Sequence, residues 1–213
     1  MDYQNLIKNV KNDRMDTAVE TCARMLLERE AESIKMTDVA DECEIGVASL
    51  YRYFGTKSAM VIKAACLIWR DIKQLFDGVF ECDYYEEKTG LDQLKELMKV
   101  FRVMYMSHKD FLRFVGDLDR FVIKHHIPAE ELTEYQASVL NFYPLFESAF
   151  AKGVNDGTVR KGIDFPTMYL AVTHALMLMG EKSSQPSVFE NENITAEKEL
   201  EMMIEMAVRY VSA

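Results

Sequence analysis

Apolar residues recur in this chain at intervals of three and four, the period of an amphipathic helix, almost from end to end. Ala18, Cys22, Met25 and Leu26 set such a stripe between Met15 and Arg29, with Arg14, Arg24 and Arg29 on or near its polar side. Ala31 to Lys35 reads as a connection. Thr37 places a short hydroxyl ahead of Asp38, Val39 and Ala40, which predicts an N-cap and a short second helix whose Val39, Ala40 and Cys43 face inward. The next predicted helix runs from about Gly46 to Tyr53, anchored by Ile45, Leu50 and Phe54, with Val47, Ala48, Ser49 and Arg52 pointing out. Thr56-Lys57-Ser58 opens a long fourth helix to about Phe80, with Met60, Ala64, Leu67, Ile68, Ile72, Leu75 and Phe76 at helical intervals.

Beyond an acidic, tyrosine-bearing loop from Glu81 to Gly90, the pattern predicts helices over Leu91–Ser107, Lys109–His126, Ala129–Asn155, Phe165–Glu181 and Thr195–Val211. Gly153, Gly157 and Gly162 punctuate one turn, and the polar Ser183–Asn193 segment another. Pro144 falls inside the Ala129–Asn155 pattern. Because Leu132, Tyr135, Val139, Phe142, Tyr143, Phe146, Ala149 and Phe150 hold one apolar face across it, a single kinked helix is expected. The expected fold is all-α: a three-helix head over residues 1–58 and a larger helical domain over 59–213, bridged by the fourth helix at about 57–80.

Composition agrees with a helical protein. Fourteen Met and twelve Phe stand against only four Pro and nine Gly, and 49% apolar residues in a chain of 213 is ample for a core. Cys22, Cys43, Cys66 and Cys82 are widely spaced, with no Cys-x-x-Cys pair, and read as small buried hydrophobes in a reducing compartment. No positive-then-apolar leader and no eighteen-residue apolar run is visible, so a soluble cytoplasmic protein is expected, with no membrane partner.

The segment Thr37 to Lys57 changes the picture, because two short helices meeting at a tight turn make a helix-turn-helix, whose second helix enters the major groove of DNA. A net charge of −10 is awkward for such a role. The charge is segregated, however: Lys8, Lys11, Arg14, Arg52, Lys57 and Lys63 surround the head, while acidic groups crowd residues 81–87, 130–134 and 190–201. Lys8, Lys11 and Arg14 precede the first predicted helix and are either a DNA-touching arm or a solvated tail.

Over about Thr17 to Met60 the chain resembles the TetR (tetracycline-repressor) family of transcriptional regulators. The resemblance rests on Thr37-x-x-x-Ala40, Ile45, Ser49-Leu50-Tyr51-x-Tyr53-Phe54 and Lys57, and further on by Phe150-Ala151-Lys152-Gly153 with Asp156-Gly157. Two positions depart from the family pattern: Glu44 stands where the turn usually has Gly, and Gly46 where the recognition helix is usually capped by Ser. The resemblance implies that Thr37, Tyr53 and Lys57 hold DNA phosphates, and that Val47, Ala48, Ser49, Tyr51 and Arg52 face the bases. It further implies a homodimeric repressor on a near-palindromic double-stranded operator, released when a small-molecule effector binds the larger domain.

The last two predicted helices support pairing, since Met168, Val172, Ala175 and Met179 on one and Leu200, Met203, Ile204, Ala207, Val208 and Val211 on the other need more cover than one small domain offers. On the Lys109–His126 helix, Arg113, Asp117, Arg120 and Lys124 form a polar stripe, while Asp119 and His126 fall on the apolar half with Phe111, Val115 and Val122. Phe114, Asp119, His126, Tyr143, Phe146, His174 and Met177 are the candidate effector-pocket residues. An enzyme is not expected: His125 and His126 project about 100° apart and cannot clasp one metal, and no Glu-x-x-His pair or nucleophile motif is present. No metal or cofactor is therefore anticipated. The alternative kept open is a co-regulator that acts through a protein partner and binds DNA weakly.

Overall fold

The computed structural model describes residues 3–76, 78–184 and 195–213, with side chains from Asp13 onward. Eleven α-helices carry the described chain: α1 Tyr3–Glu28, α2 Met36–Glu42, α3 Val47–Phe54, α4 Lys57–Phe76, α5 Asp83–Glu86, α6 Gly90–Ser107, α7 Lys109–Lys124, α8 Thr133–Ser138, α9 Tyr143–Asp156, α10 Phe165–Ser183 and α11 Ala196–Val211. Short 3₁₀ turns at Ala31–Ser33 and Ala129–Leu132 complete it, and the nearest approach to a strand among the described residues is one antiparallel bridge between Val159 and Ser212. The all-α expectation holds.

Two compact units divide the chain, one made of Met1–Leu75 with Phe114–Leu140, the other of Phe76–Arg113 with Asn141–Ala213. In the first, Ala18, Cys22 and Leu26 of α1, Val39 and Ala40 of α2, Leu50 of α3 and Met60, Val61 and Ala64 of α4 are buried, as are Phe114, Leu118 and Phe121 of α7. In the second, α6 packs against α9, α10 and α11.

Several boundaries differ from the sequence expectation, each for a local reason. Helix α1 begins at Tyr3 rather than Met15, since nothing before Met36 is Gly or Pro and a helix once nucleated propagates. Arg14 and the backbone of Lys8 and Lys11 therefore belong to that helix instead of preceding it; the side chains of Lys8 and Lys11 lie outside the described residues. Helix α4 stops at Phe76, short of Phe80. The 81–90 loop contains α5, whose Tyr85 is buried and whose carbonyl accepts from Gln93 Nε2 at 2.9 Å. Most of the Ser183–Asn193 segment lies outside the described residues.

The single kinked helix expected over Ala129–Asn155 is not formed. Helix α8 ends at Ser138, and Pro144 sits in the first turn of α9, where its missing N–H costs nothing and its fixed φ suits the helix. The chain passes from one unit to the other within this break, after Leu140.

The Phe150–Gly157 motif docks the end of α9 on the start of α6. A Cβ on Gly90 would lie 2.0 Å from the backbone nitrogen of Gly153, and one on Gly153 would lie 2.4 Å from Val159 Cγ2, so both positions have room only for hydrogen. Asp156 accepts from the Gly90 N–H at 2.8 Å and Lys152 donates to the Glu86 carbonyl. Gly157 then closes α9 in the left-handed conformation at φ 80°.

Candidate nucleic-acid interface

Helix α2 is not capped by Thr37. Its N-cap is Lys35, whose N–H donates to the Asp38 carboxylate at 3.1 Å, and Arg29 steadies that carboxylate at 3.3 Å. A carboxylate in the first turn reaches back to the cap backbone and suits the helix dipole, which leaves Thr37 exposed in the second helical position. The helix ends at Cys43, whose N–H returns to the Val39 carbonyl at 3.1 Å. Glu44 follows with φ 54°. This left-handed conformation costs a non-glycine residue about 1 kcal/mol, and the Ile45 N–H donating to the Ala40 carbonyl at 2.9 Å helps to hold the turn.

Gly46 caps α3 at φ −61° and ψ 135°, an ordinary extended conformation, and a Cβ added there would meet nothing within 4 Å, so Ser would fit. Ile45 and Leu50 are buried and Phe54 is half-buried, fixing one face of α3 inward. Ala48, Tyr51 and Arg52 are exposed, Tyr51 at 51%, and Val47, Ser49 and Tyr53 are half-exposed. Tyr51 therefore does not serve the core. Arg52 donates to Ser49 Oγ at 3.2 Å and lies 5.6 Å above the Tyr53 ring, which keeps its guanidinium along the outer face of the helix. Five of the eight residues named for DNA thus share the outward face of α3, and Tyr53 flanks them.

Lys57 is placed differently. Its ammonium donates to the Glu32 carbonyl at 2.9 Å and lies 5.3 Å over the Phe121 ring, where burial lowers its pKa. The same Glu32 carboxylate receives His125 Nε2 at 2.8 Å and Lys124 Nζ at 3.0 Å, contacts that hold its carboxyl down at about 2. One residue earlier, the Ala31 N–H donates to Asp117 at 2.6 Å. The connection between α1 and α2 is thereby tied to α7 by groups 86 to 93 positions away in sequence.

The polar and apolar faces of α7 differ from expectation. Asp117, placed by the sequence on the solvated stripe, is 8% exposed, whereas Asp119 and His126, placed on the apolar half, are exposed. Phe111, Phe114, Leu118 and Phe121 centre the buried face, and Asp117 adjoins them at one turn's spacing. His126 lies past the helix end at φ 50°.

Of the other candidate effector residues, Phe114 is buried in the first unit. In the second, Tyr143 and Phe146 meet Tyr169 with ring centroids 4.9 and 5.3 Å away. His174 is exposed and Met177 half-buried. An open groove of about 580 Å³ in the first unit is lined by Met15, Val19, Cys66, Leu67, Arg70 and Glu134 among others, and by none of the candidates.

The candidate pairing helices also differ. Leu200, Ile204, Ala207 and Val211 are buried within the unit, where α11 packs on α6 and α10, and Met168 is buried too. Their regular spacing marks the face covered by this chain itself. Val172, Ala175, Met179, Met203 and Val208 are half-exposed, and the open stripes are Leu170, His174 and Leu178 on α10 and Met202, Met206 and Tyr210 on α11.

Residues 19–64 match the family model of bacterial regulatory proteins, tetR family. Among solved structures, a TetR-family transcriptional regulator from Rhodococcus sp. superposes with a TM-score of 0.66 at 13% identity, covering 92% of this chain and 99% of that one. A transcriptional regulator from Saccharomonospora viridis in complex with choline gives 0.65 at 14% identity, covering 97% and 99%. The regulator FadR from Bacillus subtilis in complex with stearoyl-CoA gives 0.58 at 11%, covering 90% and 96%. No curated protein sequence matches. Among the described residues no helix is long and apolar enough to cross a membrane. Residues 19–64 thus carry the sequence signature of bacterial regulatory proteins, tetR family, and the whole chain has the fold of these solved regulators.

Proposed function

We propose that this chain is a non-enzymatic, ligand-responsive repressor that binds a near-palindromic operator as a homodimer and leaves it when a small molecule occupies the C-terminal domain. The observation that carries this reading is α3, with Ile45 and Leu50 buried and Ala48, Tyr51 and Arg52 exposed on the opposite face. That face suits base edges in a major groove, Arg52 for guanine or phosphate and the small side chains for a thymine methyl. Residues 1–58 act as the DNA-binding domain, with Thr37 and Tyr53 on phosphates, and 59–213 as the effector and pairing domain of a protein that works in the cytoplasm.

Pairing would use the open stripes Leu170–Leu178 and Met202–Tyr210, flanked by the half-exposed Val172, Ala175, Met179, Met203 and Val208. Two copies would then set their α3 helices about one DNA turn, roughly 34 Å, apart. The effector remains a small molecule of unassigned chemistry; relatives of this fold hold ligands as different as choline and stearoyl-CoA.

The test is selection of duplexes from a random pool by the full-length protein, followed by affinity measured against salt. A repressor of this kind enriches an inverted repeat with half-sites one turn apart and loses affinity steeply with salt. Arg52→Ala should cost about 1–3 kcal/mol and relax preference at one base position in each half-site. A shallow salt slope with no enriched repeat would favour the co-regulator acting through a protein partner.

A further inference from the structure

None of the residues assigned to DNA or to the effector lines the open groove of the first unit. Its volume of about 580 Å³ falls within the range of about 300–1,000 Å³ usual for small-molecule sites. Residues of α1, α4 and α8 form its walls. Met15 and Val19 of α1 and Cys66 and Leu67 of α4 are half-exposed in it, which leaves an apolar strip in contact with water.

Charge in the groove is sorted by wall. Asp16 and Glu20 come from α1 and lie one turn apart, and Arg70 and Lys73 come from α4 at nearly the same spacing. All four are exposed, and among the described residues no ion pair joins the acidic wall to the basic one. Lys63, the remaining cation of the lining, is taken by Glu134 of α8 at 2.7 Å. Like charges one turn apart on a helix repel, so each wall is stabilised by a guest of opposite sign. A guest with a single charge would suit one wall and be opposed by the other.

We propose that this groove is a second ligand site, separate from the effector pocket of the larger domain, and that it takes a small zwitterionic amphiphile. The cationic group lies toward Asp16 and Glu20, the anionic group toward Arg70 and Lys73, and the hydrocarbon part covers Met15, Val19 and Leu67. The assignment does not depend on DNA binding, and its failure would leave that reading as it stands.

Two groups report on the groove. Cys66 lines it, whereas Cys82 is an exposed thiol outside its lining. Trp69, the single tryptophan of the chain, donates from Nε1 at 3.1 Å to the hydroxyl of Tyr135, which shares α8 with the lining residues Ala137 and Ser138. The experiment titrates the full chain at low salt with octyl sulfobetaine, octyltrimethylammonium and octyl sulfate, each below its micelle concentration. Trp69 fluorescence gives affinity, and alkylation by iodoacetamide, mapped by mass spectrometry, gives location.

The sulfobetaine should bind several-fold more tightly than either singly charged probe, the scale that exposed ion pairs supply, and the advantage should shrink as salt is added. It should slow alkylation of Cys66 several-fold and leave Cys82 unchanged. Arg70→Gln with Lys73→Gln should turn the preference toward octyltrimethylammonium, and Asp16→Asn with Glu20→Gln toward octyl sulfate. These side chains are exposed, and a circular dichroism spectrum of each variant verifies the fold. Equal affinity for the three probes in wild type overturns the proposal, because the groove is then only an apolar surface. So does a Cys66 that the sulfobetaine fails to protect, or an order of preference that neither double variant changes.

Discussion

Glu32 shows how much one exposed residue can organise. It joins the α1–α2 connection to α7 through its carboxylate and engages Lys57 through its carbonyl. Hydrogen bonds from His125 and then Lys124 hold its carboxyl down at about 2, below the 4.5 of a free glutamic acid. A carboxyl depressed in the folded state stabilises above its unfolded pKa and stops doing so as pH falls through its folded one. Wild type should therefore melt above Glu32→Gln at neutral pH, and the gap should close as pH falls from about 4.5 to about 2. Melting temperatures across that range check it; a gap that persists to the acid end would mean that charge at Glu32 is not what makes the difference.

The same residues mark where sequence reading reached its limit. The outward set on α3 was legible because a face of a helix follows from its period, and Ile45 and Leu50 fix that face. The role of Asp117 was not, because a buried carboxylate is recognised by its partner, here a backbone N–H 86 residues earlier. Thr37 and Asp38 are both good capping types, and only the backbone path puts the N-cap at Lys35, with the Asp38 carboxylate reaching back to its N–H.

At the level of elements, periodicity located α3, α6, α10 and α11 within a few residues, and it misjudged the stretch around Pro144. An apolar face that continues across a proline is compatible with one kinked helix or with a fresh start, since the proline is welcome in a first turn and costly in an interior. The α6–α9 crossing adds a constraint that no periodicity reveals. Its backbones meet at Gly90 and Gly153, and a methyl on Gly90 would collide with backbone rather than with the movable end of a side chain. Gly90→Ala should therefore lose about 1–3 kcal/mol or more of stability, read by urea unfolding. Gly46→Ser, which adds a side chain in open space at a position where Ser is a good N-cap, serves as the comparison and should lose far less. Equal losses would show that the helices can part at no cost.

For the whole molecule, the last two helices carry the surface that the proposed pairing would use. Their inward stripe is satisfied within the chain, while Leu178 at 62% and Met202 at 59% exposure leave apolar surface in water. Leu178→Glu combined with Met206→Glu should convert a dimer into a folded monomer, seen as a halved mass in sedimentation with an unchanged circular dichroism spectrum. If the mass stays that of a dimer, pairing uses another surface, and the spacing argument for the operator must be rebuilt on it.

The order in which the first unit is made also matters. Its parts are not contiguous: residues 1–75 are completed by 114–140, which bring Phe114, Leu118 and Phe121 into its core and Asp117 to the Ala31 N–H. On the ribosome, the emerging head must wait through the synthesis of the intervening and closing segments, 65 residues between Leu75 and Leu140, or about 3 to 13 s at ordinary elongation rates. During that interval α1, α2 and α3 can pack on one another, but the side that residues 114–140 complete is without its cover. For the same reason a head cut out at residue 58 or 75 would leave the ribosome as an unfinished unit, so the full chain is the form in which to study DNA binding.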